Sequence, residues 1–258
     1  MTIRQMQAVF SQRRLIAPAL WEIELSMPTL CETVYAGQCF LVAGPTYLRR
    51  ALYPANVAPQ RMAFLIKATS DPMVAWLIGR AAGDALDLIG PVGHGFELPS
   101  QASRLLLVAE TAPDVGPLLQ LLTTGLANGA EIMLVTGGTH LAAVYPVSEL
   151  PPAVEVHIAT TDGSLGRRGS VANLLPDVLV WADRVYAVGS RSLYRAIHQA
   201  VCQVRPVHTA NFVQVLLNDV ALLCGAGTCC ACTVETSAGW RHVCTDGPAF
   251  PLEHVIAS

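Results

Sequence analysis

The sequence lacks an apolar run long enough to cross a membrane, and it carries little charge. A membrane-spanning helix needs about 20 consecutive apolar residues, whereas the apolar runs here, such as residues 105–109, are only as long as a strand. Charged residues make up 14% of the chain and Lys67 is the only lysine. Without a basic stripe, nucleic acid is not expected as a partner. Residues 1–9 lack the apolar core of a secretory signal, which predicts a cytoplasmic chain.

Apolar residues are abundant but are spread over many short runs. Of the 258 residues, 52% are hydrophobic, which excludes intrinsic disorder. The length predicts two domains, or one large and one small. The mean hydropathy of +0.44 and the short runs indicate buried strands between helices. Part of the apolar excess is expected to lie against a partner.

The cysteines are concentrated in one segment, because five of the eight lie between positions 224 and 244. A disulfide framework is not expected in a cytoplasmic chain of this length. Four residues separate Cys224 from Cys229, two separate Cys229 from Cys232, and eleven separate Cys232 from Cys244. This is the ligand spacing of a plant-type [2Fe–2S] cluster.

Gly225 and Gly227 lie inside the first gap, where positive φ angles would turn backbone N–H groups toward the cluster sulfurs. A four-cysteine zinc site is the alternative, although zinc ribbons usually pair two knuckles and only one is present. Trp240 is expected to pack over the cluster loop. The other cysteines are expected to be small, packed residues: Cys31, Cys39, Cys202 and Cys230.

The rhythm of the sequence changes near residue 100. Several short strand-like runs separated by prolines and glycines precede it, which predicts a small antiparallel barrel. Strands then alternate with helices, which predicts a parallel, doubly wound sheet. A small third segment surrounds the cysteines. We therefore expect domains at residues 1–98, 99–205 and 206–258.

Four segments together resemble one protein family. They are the cysteine loop at residues 224–232, the segment 241–250 with its Cys-x-Asp-Gly-Pro-x-Phe pattern, residues 161–169, and residues 83–96. With the barrel, the βα domain and the cluster loop in that order, the chain resembles the electron-transfer subunit of NAD-linked dihydroorotate dehydrogenase. This family belongs to the ferredoxin-reductase-like superfamily, and the resemblance covers nearly the whole chain.

The resemblance implies an oxidoreductase of pyrimidine biosynthesis. In the family, a catalytic partner that carries FMN oxidises dihydroorotate. Electrons then pass through a [2Fe–2S] centre and FAD on the electron-transfer subunit to NAD+. The resemblance therefore implies FAD on the first domain, NAD on the second and the cluster on the third. The base for dihydroorotate oxidation belongs to the partner, and no catalytic residue is predicted on this chain.

The flavin motifs of this chain depart from the family pattern. The family has Arg-Pro-x-Ser where this chain has Arg50, Ala51, Leu52 and Tyr53. Arg50 would meet the FAD pyrophosphate or be a solvated surface charge. Residues 65–67 match the strand before the second flavin segment: Leu65, Ile66 and Lys67. Lys67 would help to hold the FAD or be a surface residue. Asp71 and Pro72 then follow in place of a Gly-Thr pair, which opposes a phosphate.

The nucleotide turn departs further. The family has a Gly-Gly-x-Gly turn after the first strand of its second domain, which lets the backbone approach phosphates. Here only Gly116 remains, and Glu110 and Asp114 place negative charge nearby. Three hypotheses follow. The chain is a working electron-transfer subunit, a divergent iron–sulfur carrier or scaffold with degraded FAD and NAD sites, or a zinc-stabilised interaction module.

Overall fold

An antiparallel sheet of seven strands forms the N-terminal part of the molecule. The structure is a computed structural model that describes residues 3–27, 33–99, 103–205 and 211–256; Cys31 lies outside them. A helix, α1 (Pro72–Ile78), precedes the last strand of this sheet. The strands are β1 (Arg4–Ala17), β2 (Leu20–Ser26), β3 (Cys39–Val42), β4 (Arg50–Leu52), β5 (Pro54–Ala58), β6 (Arg61–Lys67) and β7 (Ala85–Val92).

The sheet closes on itself into a barrel. Its strand order is β4-β3-β7-β1-β2-β6-β5, so β4 and β5 are the two ends. Because Tyr53 alone separates these two strands in the chain, the ends meet. Phe10, Phe40 and Phe64 are buried in the interior, and all four residues of β3 are buried.

The remaining strands and helices follow residue 103. The strands are β8 (Arg104–Ala109), β9 (Glu131–Gly138), β10 (Val154–Thr160), β11 (Arg167–Arg168), β12 (Arg184–Val188), β13 (Val213–Leu216), β14 (Thr233–Thr236), β15 (Gly239–His242) and β16 (Ala249–Pro251). The helices are α2 (Gly116–Ala127), α3 (Leu175–Val178), α4 (Arg191–Val204), α5 (Val243–Asp246) and α6 (Leu252–Ile256). Short 3-10 turns cover Ala112–Val115, Leu141–Ala143, Val147–Glu149 and Val171–Asn173.

Seven of these strands form a second sheet, in the order β11-β10-β9-β8-β12-β13-β16. All of its pairs are parallel except β13 with β16. Leu107 on one face of β8 shares a core with Leu118 of α2, and Leu106 on the other face shares a core with Ile197 of α4. Helices therefore cover both faces, and the predicted doubly wound sheet is confirmed.

The cysteine segment packs on the barrel. A Cβ added at Gly225 would lie 3.1 Å from Val92 of β7 and 3.2 Å from Leu41 of β3. Beyond the loop, β14 and β15 form a two-stranded hairpin, and β16 returns the chain to the second sheet. None of the helices among the described residues has the length and apolar character required to span a membrane.

Candidate functional site

The four cysteines of the predicted cluster motif lie in two pairs. Cys232 and Cys244 are each 1% exposed, whereas Cys229 is exposed and Cys224 is partly exposed. Cys229 contributes to the shift in the pKa of Cys224, and Cys232 contributes to that of Cys244, so the members of each pair are neighbours. One pair therefore lies inside the protein and the other lies at its surface.

The loop turns backbone donors toward these sulfurs. The N–H of Ala226 donates to Cys224 Sγ at 3.4 Å, and the N–H of Gly227 donates to Cys244 Sγ at 3.3 Å. Gly227 has a φ of +72°, in the left-handed region that glycine adopts at low cost. This is the geometry predicted from the glycines in the motif, and it is typical of loops that stabilise metal-bound thiolates.

We call Cys224 and Cys229 the outer pair, and Cys232 and Cys244 the inner pair. The N–H donors change the pKa of Cys224 in the outer pair. Burial raises the pKa of Cys224, but hydrogen bonds from Cys229, Ala226 and Thr228 outweigh it and lower the pKa to about 6. The inner thiol of Cys244 behaves differently, because burial and its hydrogen bond to Cys232 raise the pKa to about 12. The loop thus favours the thiolate, the form that binds metal, at its solvent-facing side.

The two pairs fit a two-iron cluster. In a [2Fe–2S] cluster with four cysteines, each iron takes two of them. Across the described ranges, no three His, Cys, Asp or Glu side chains converge closely enough to hold one metal ion. Backbone N–H groups of the loop donate to Cys224 at the surface and to the buried Cys244. The set of ligands, their spacing and the surrounding N–H groups all suit this cofactor.

Three smaller predictions in this segment were wrong. Cys230 is exposed, with a φ of +56°, and Cys202 is exposed on α4. Trp240 does not pack over the loop, because it is 67% exposed near the turn of the β14–β15 hairpin. Cys39, in contrast, is buried as expected. Its pKa is raised by burial and by the nearby Cys244, so this thiol lies close to the inner pair.

The two flavin segments predicted from the sequence meet at one end of the barrel. Arg50 is the first residue of β4, and its guanidinium forms an ion pair with Asp71, which follows β6. Ala51 and Leu52 continue β4 and pair with Leu41 and Phe40 of β3. The Arg50 side chain is exposed, and its guanidinium is paired with a carboxylate of the protein itself.

The second flavin segment faces the doubly wound sheet. Leu65 of β6 lies beside Gly116, the first residue of α2, whose added Cβ would be 3.4 Å from the Leu65 side chain. Ile66 is buried in the barrel core. Lys67 ends β6 and lines a cavity of about 330 Å³ between the barrel and the sheet, together with Pro113 and Thr139. The residues predicted for a cofactor thus lie at the junction of the two units.

Tyr53 carries a buried polar atom that has no partner. Its hydroxyl accepts or donates no hydrogen bond within the described residues. Its ring packs against the cores on both sides of the doubly wound sheet. Burial raises the pKa of Tyr53 well above its usual value, with smaller contributions from Cys39 and Tyr194. An orphaned hydroxyl at this junction fits a polar ligand, such as a flavin ring, that would supply the missing partner.

Acidic side chains of the protein itself also lie at the carboxyl edge of the second sheet. Glu110, directly after β8, accepts the N–H of Ser190 at 2.5 Å and its hydroxyl at 3.0 Å. Ser190 caps α4, so the carboxylate lies at the positive end of that helix. Asp114 accepts two hydrogen bonds from Thr111. Burial raises the pKa of Asp114, against these hydrogen bonds.

A cavity of about 340 Å³ opens at the same edge. Its lining includes Gly137 and Gly138, which end β9, and Thr161, which follows β10. Among its lining residues Glu110 is the only ionisable one. The cavity can therefore hold a polar ligand at the crevice where doubly wound sheets bind nucleotides, but it offers no cation to a phosphate.

Comparison with known proteins assigns these features to a family. Residues 221–256 match the model for the iron–sulfur cluster binding domain of dihydroorotate dehydrogenase B. The chain is 30% identical to the dihydroorotate dehydrogenase B (NAD(+)) electron transfer subunit of Geobacillus thermodenitrificans, and 31% identical to that of Bacillus caldolyticus, over 98% of each chain. The chain belongs to the family of dihydroorotate dehydrogenase B electron transfer subunits. The resemblance found in the motifs is confirmed.

Solved structures support the same fold. A chain of the NADH-dependent reduced ferredoxin–NADP oxidoreductase superposes with a TM-score of 0.81 at 22% identity, covering 96% of this chain and 89% of that one. The ferredoxin reductase of carbazole 1,9a-dioxygenase superposes with a TM-score of 0.71 at 18% identity, covering 83% and 69%. The predicted barrel and parallel sheet therefore have the ferredoxin-reductase-like architecture.

The sequence analysis missed two contacts, Arg50 with Asp71 and Glu110 with Ser190. In both, a carboxylate of the protein lies where a ligand was expected. Glu110 and Ser190 are 80 positions apart, and no local pattern joins them. The Asp71–Pro72 pair, however, is a common start of a helix, since Asp caps and Pro occupies the first turn. That signal predicts α1 and fixes where the Asp71 carboxylate lies.

Proposed function

We propose that this chain is the electron-transfer subunit of an NAD-linked dihydroorotate dehydrogenase. A catalytic partner that contains FMN oxidises dihydroorotate to orotate, which releases two electrons and two protons. NAD+ takes both electrons and one proton, and the other proton goes to solvent. The assembly is a hetero-oligomer of pyrimidine biosynthesis.

One observation supports this proposal more than any other. Both cysteines of the inner pair share one continuous apolar core with Cys39, and Tyr53 of the flavin strand packs against the same core. A cluster and a flavin bound at these positions would be separated by packed protein rather than by water. Short, dry separation is what electron transfer between two cofactors needs.

We propose specific residues of this chain as the ones that would hold the cofactors. When bound, the [2Fe–2S] cluster handles single electrons, and FAD exchanges them for the hydride that NAD accepts. The proposed cluster ligands are Cys224, Cys229, Cys232 and Cys244. The proposed flavin and nucleotide contacts are Arg50, Ala51, Leu52, Tyr53, Leu65, Ile66, Lys67 and Gly116.

The protein's own residues have three tasks in this proposal. The loop N–H groups of Ala226 and Gly227 stabilise thiolate charge. The hydroxyl of Tyr53 donates to the flavin ring. The packing of Leu41 and Val92 against the loop excludes water between the barrel and the cysteines. The base that removes a proton from dihydroorotate belongs to the partner.

The chain is proposed to have three units and to lie in the cytoplasm. We keep the division into residues 1–98 for the flavin barrel, 99–205 for the nucleotide unit and 206–258 for the cluster unit. The β13 and β16 strands of the last segment extend the sheet of the second, so these two units would act as one support. Reduced, metal-binding thiols favour the cytoplasm.

A second candidate function rests on the internal carboxylates. Asp71 engages Arg50, and Glu110 engages the start of α4. Both acids lie where the family places dinucleotide phosphates. If they prevent binding altogether, the chain is a divergent iron–sulfur carrier or scaffold on another oxidoreductase.

Anaerobic reduction by NADH separates the two candidates. The protein, with its iron and sulfide reconstituted, is mixed with FAD and NADH, and reduced cluster is counted by electron paramagnetic resonance. The electron-transfer subunit is reduced only when FAD is present. A cluster that accepts electrons from dithionite but not from NADH and FAD contradicts the first candidate and supports the carrier.

The partner is tested with the complete assembly. The chain is co-purified with an FMN-containing dihydroorotate dehydrogenase subunit, and NADH formation from dihydroorotate and NAD+ is followed. Formation that requires this chain supports the proposal. The Cys244→Ser variant, expected to lack the cluster, serves as the matched control and should form no NADH.

A further inference from the structure

The Arg50–Asp71 ion pair lies between the two segments that the proposed function assigns to FAD. Arg50 begins β4, and Asp71 lies between β6 and α1, with its carboxylate in contact with the Arg50 guanidinium. The side chains are 54% and 30% exposed, respectively. The pair is thus accessible to a ligand from solvent.

The carboxylate of Asp71 is held in place by a second contact. One of its oxygens meets Arg50, and the other accepts the N–H of Met73 at 2.8 Å as the cap of α1. The Asp71 N–H in turn donates to the Thr69 hydroxyl at 3.3 Å. The acid is therefore pre-positioned beside the guanidinium, and a phosphate approaching Arg50 also approaches this fixed negative charge.

Two residues beside this ion pair are not free to serve a phosphate. Pro72 has no N–H to offer it. Arg49, the adjacent cation, is engaged by Asp87 at 2.6 Å. The basic side chains assigned to the two flavin segments are therefore Arg50, which already has a partner, and Lys67, which ends β6 and lines the cavity.

We propose that Asp71 is a built-in competitor for the FAD pyrophosphate at Arg50. Binding of FAD requires the guanidinium to exchange a carboxylate for a phosphate, so this ion pair sets the affinity for the dinucleotide half of the cofactor. The flavin ring half is unaffected. This inference rests on the proposed function, in which FAD binds at this end of the barrel.

Asp71→Asn is the decisive variant, because asparagine caps helices as well as aspartate does. It keeps the hydrogen bond to Met73 and removes only the charge. Loss of an exposed ion pair and of its repulsion toward phosphate should tighten FAD binding by about fivefold. Riboflavin, which has no phosphate, should bind Asp71→Asn and the unmodified protein equally.

The experiment measures FAD and riboflavin dissociation constants by quenching of flavin fluorescence, with thermal unfolding to verify that each variant is folded. Asp84→Asn is the matched control, since Asp84 also accepts a backbone N–H and pairs with an arginine, Arg80. It should leave FAD affinity unchanged. In the double variant Arg50→Gln with Asp71→Asn, the gain should disappear.

The outcomes distinguish this inference from the proposed function. Equal FAD affinity of Asp71→Asn and the unmodified protein, or a gain that extends to riboflavin, overturns the competition alone. Absence of FAD binding by both proteins overturns the flavin part of the proposed function as well. A gain for FAD only, lost with Arg50, supports the competition.

Discussion

The cysteine loop differs in its electrostatics from the two edges where a dinucleotide is expected. These edges are the Arg50 end of the barrel and the carboxyl edge of the second sheet. In the loop, the N–H groups of Ala226 and Gly227 point at thiol sulfurs and no acid intervenes. At the edges, Asp71 and Glu110 occupy the cation and the helix start that an anionic ligand would use. A cluster in the loop would therefore meet N–H donors, whereas an anionic ligand at either edge would meet a carboxylate of the protein itself.

The largest expected effect concerns the cluster ligands. Cys244→Ser removes one thiolate of the inner pair, so the cluster should be lost completely, because a [2Fe–2S] centre of this type needs four cysteines. Cys230→Ser alters an exposed neighbour and should leave the cluster intact. The iron and sulfide content per chain is measured for both variants. Equal loss in the two variants would contradict the ligand assignment.

A smaller effect is expected from the loop backbone. In Gly227→Ala, the left-handed φ costs about 1–2 kcal/mol, and the new Cβ lies 3.2 Å from Thr245 Cγ2. The N–H that donates to Cys244 should move, and iron should be lost faster to a chelator.

Gly239→Ala is the matched control for this change. Gly239 has a φ of +91° and open space around it, so the substitution should destabilise the fold by a similar amount without releasing iron. Equally fast loss of iron from Gly239→Ala and from Gly227→Ala would show that strain alone, and not the donor, governs retention.

At the sheet edge, removal of one acid should strengthen nucleotide binding. Glu110→Gln keeps an acceptor for the Ser190 N–H but removes the only ionisable side chain that lines the cavity. An anionic dinucleotide should then bind about fivefold more tightly, since a charge repulsion of about 1 kcal/mol is removed. The dissociation constant of NADH measures this.

Glu131→Gln provides the comparison, because Glu131 begins β9 at the opposite edge of the sheet. It should not change NADH binding. Weaker NADH binding by Glu110→Gln would instead make Glu110 a ligand for the ribose hydroxyls of NADH, which would reverse the contrast between the edge and the loop.

The smallest effect is expected at Tyr53. Because its buried hydroxyl lacks a partner among the described residues, Tyr53→Phe should stabilise the flavin-free protein by about 1 kcal/mol. Added FAD should then raise the melting temperature less than it does in the unmodified protein. A loss of stability without flavin would indicate that the hydroxyl already makes a favourable interaction.

Local patterns predicted much of this molecule. The spacing of Cys224, Cys229 and Cys232 gave the cluster motif, because three ligands must come from one short loop. The alternation of strands and helices predicted after residue 100 is found in the structure, for example in β12 and α4. These elements have strong apolar periodicity and are bounded by glycine or capping residues.

Long-range contacts could not be predicted from the sequence. Nothing near Glu110 in the sequence reports that Ser190 lies beside it, and the closure of the barrel through Tyr53 depends on how seven strands pair. Trp240 was expected to pack over the cluster loop, but it lies on a two-stranded hairpin that has no second layer to cover it. Burial of such a residue depends on neighbours that sequence spacing does not identify.

Cofactor content is the most direct test of the contrast between loop and edges. The protein is purified without oxygen, dialysed, and assayed on one sample for iron, sulfide, zinc and flavin. We predict two irons and two sulfides per chain that survive dialysis, and FAD that is lost on dialysis and binds again when added. Zinc in place of iron, or tightly retained FAD beside a labile cluster, would contradict this prediction.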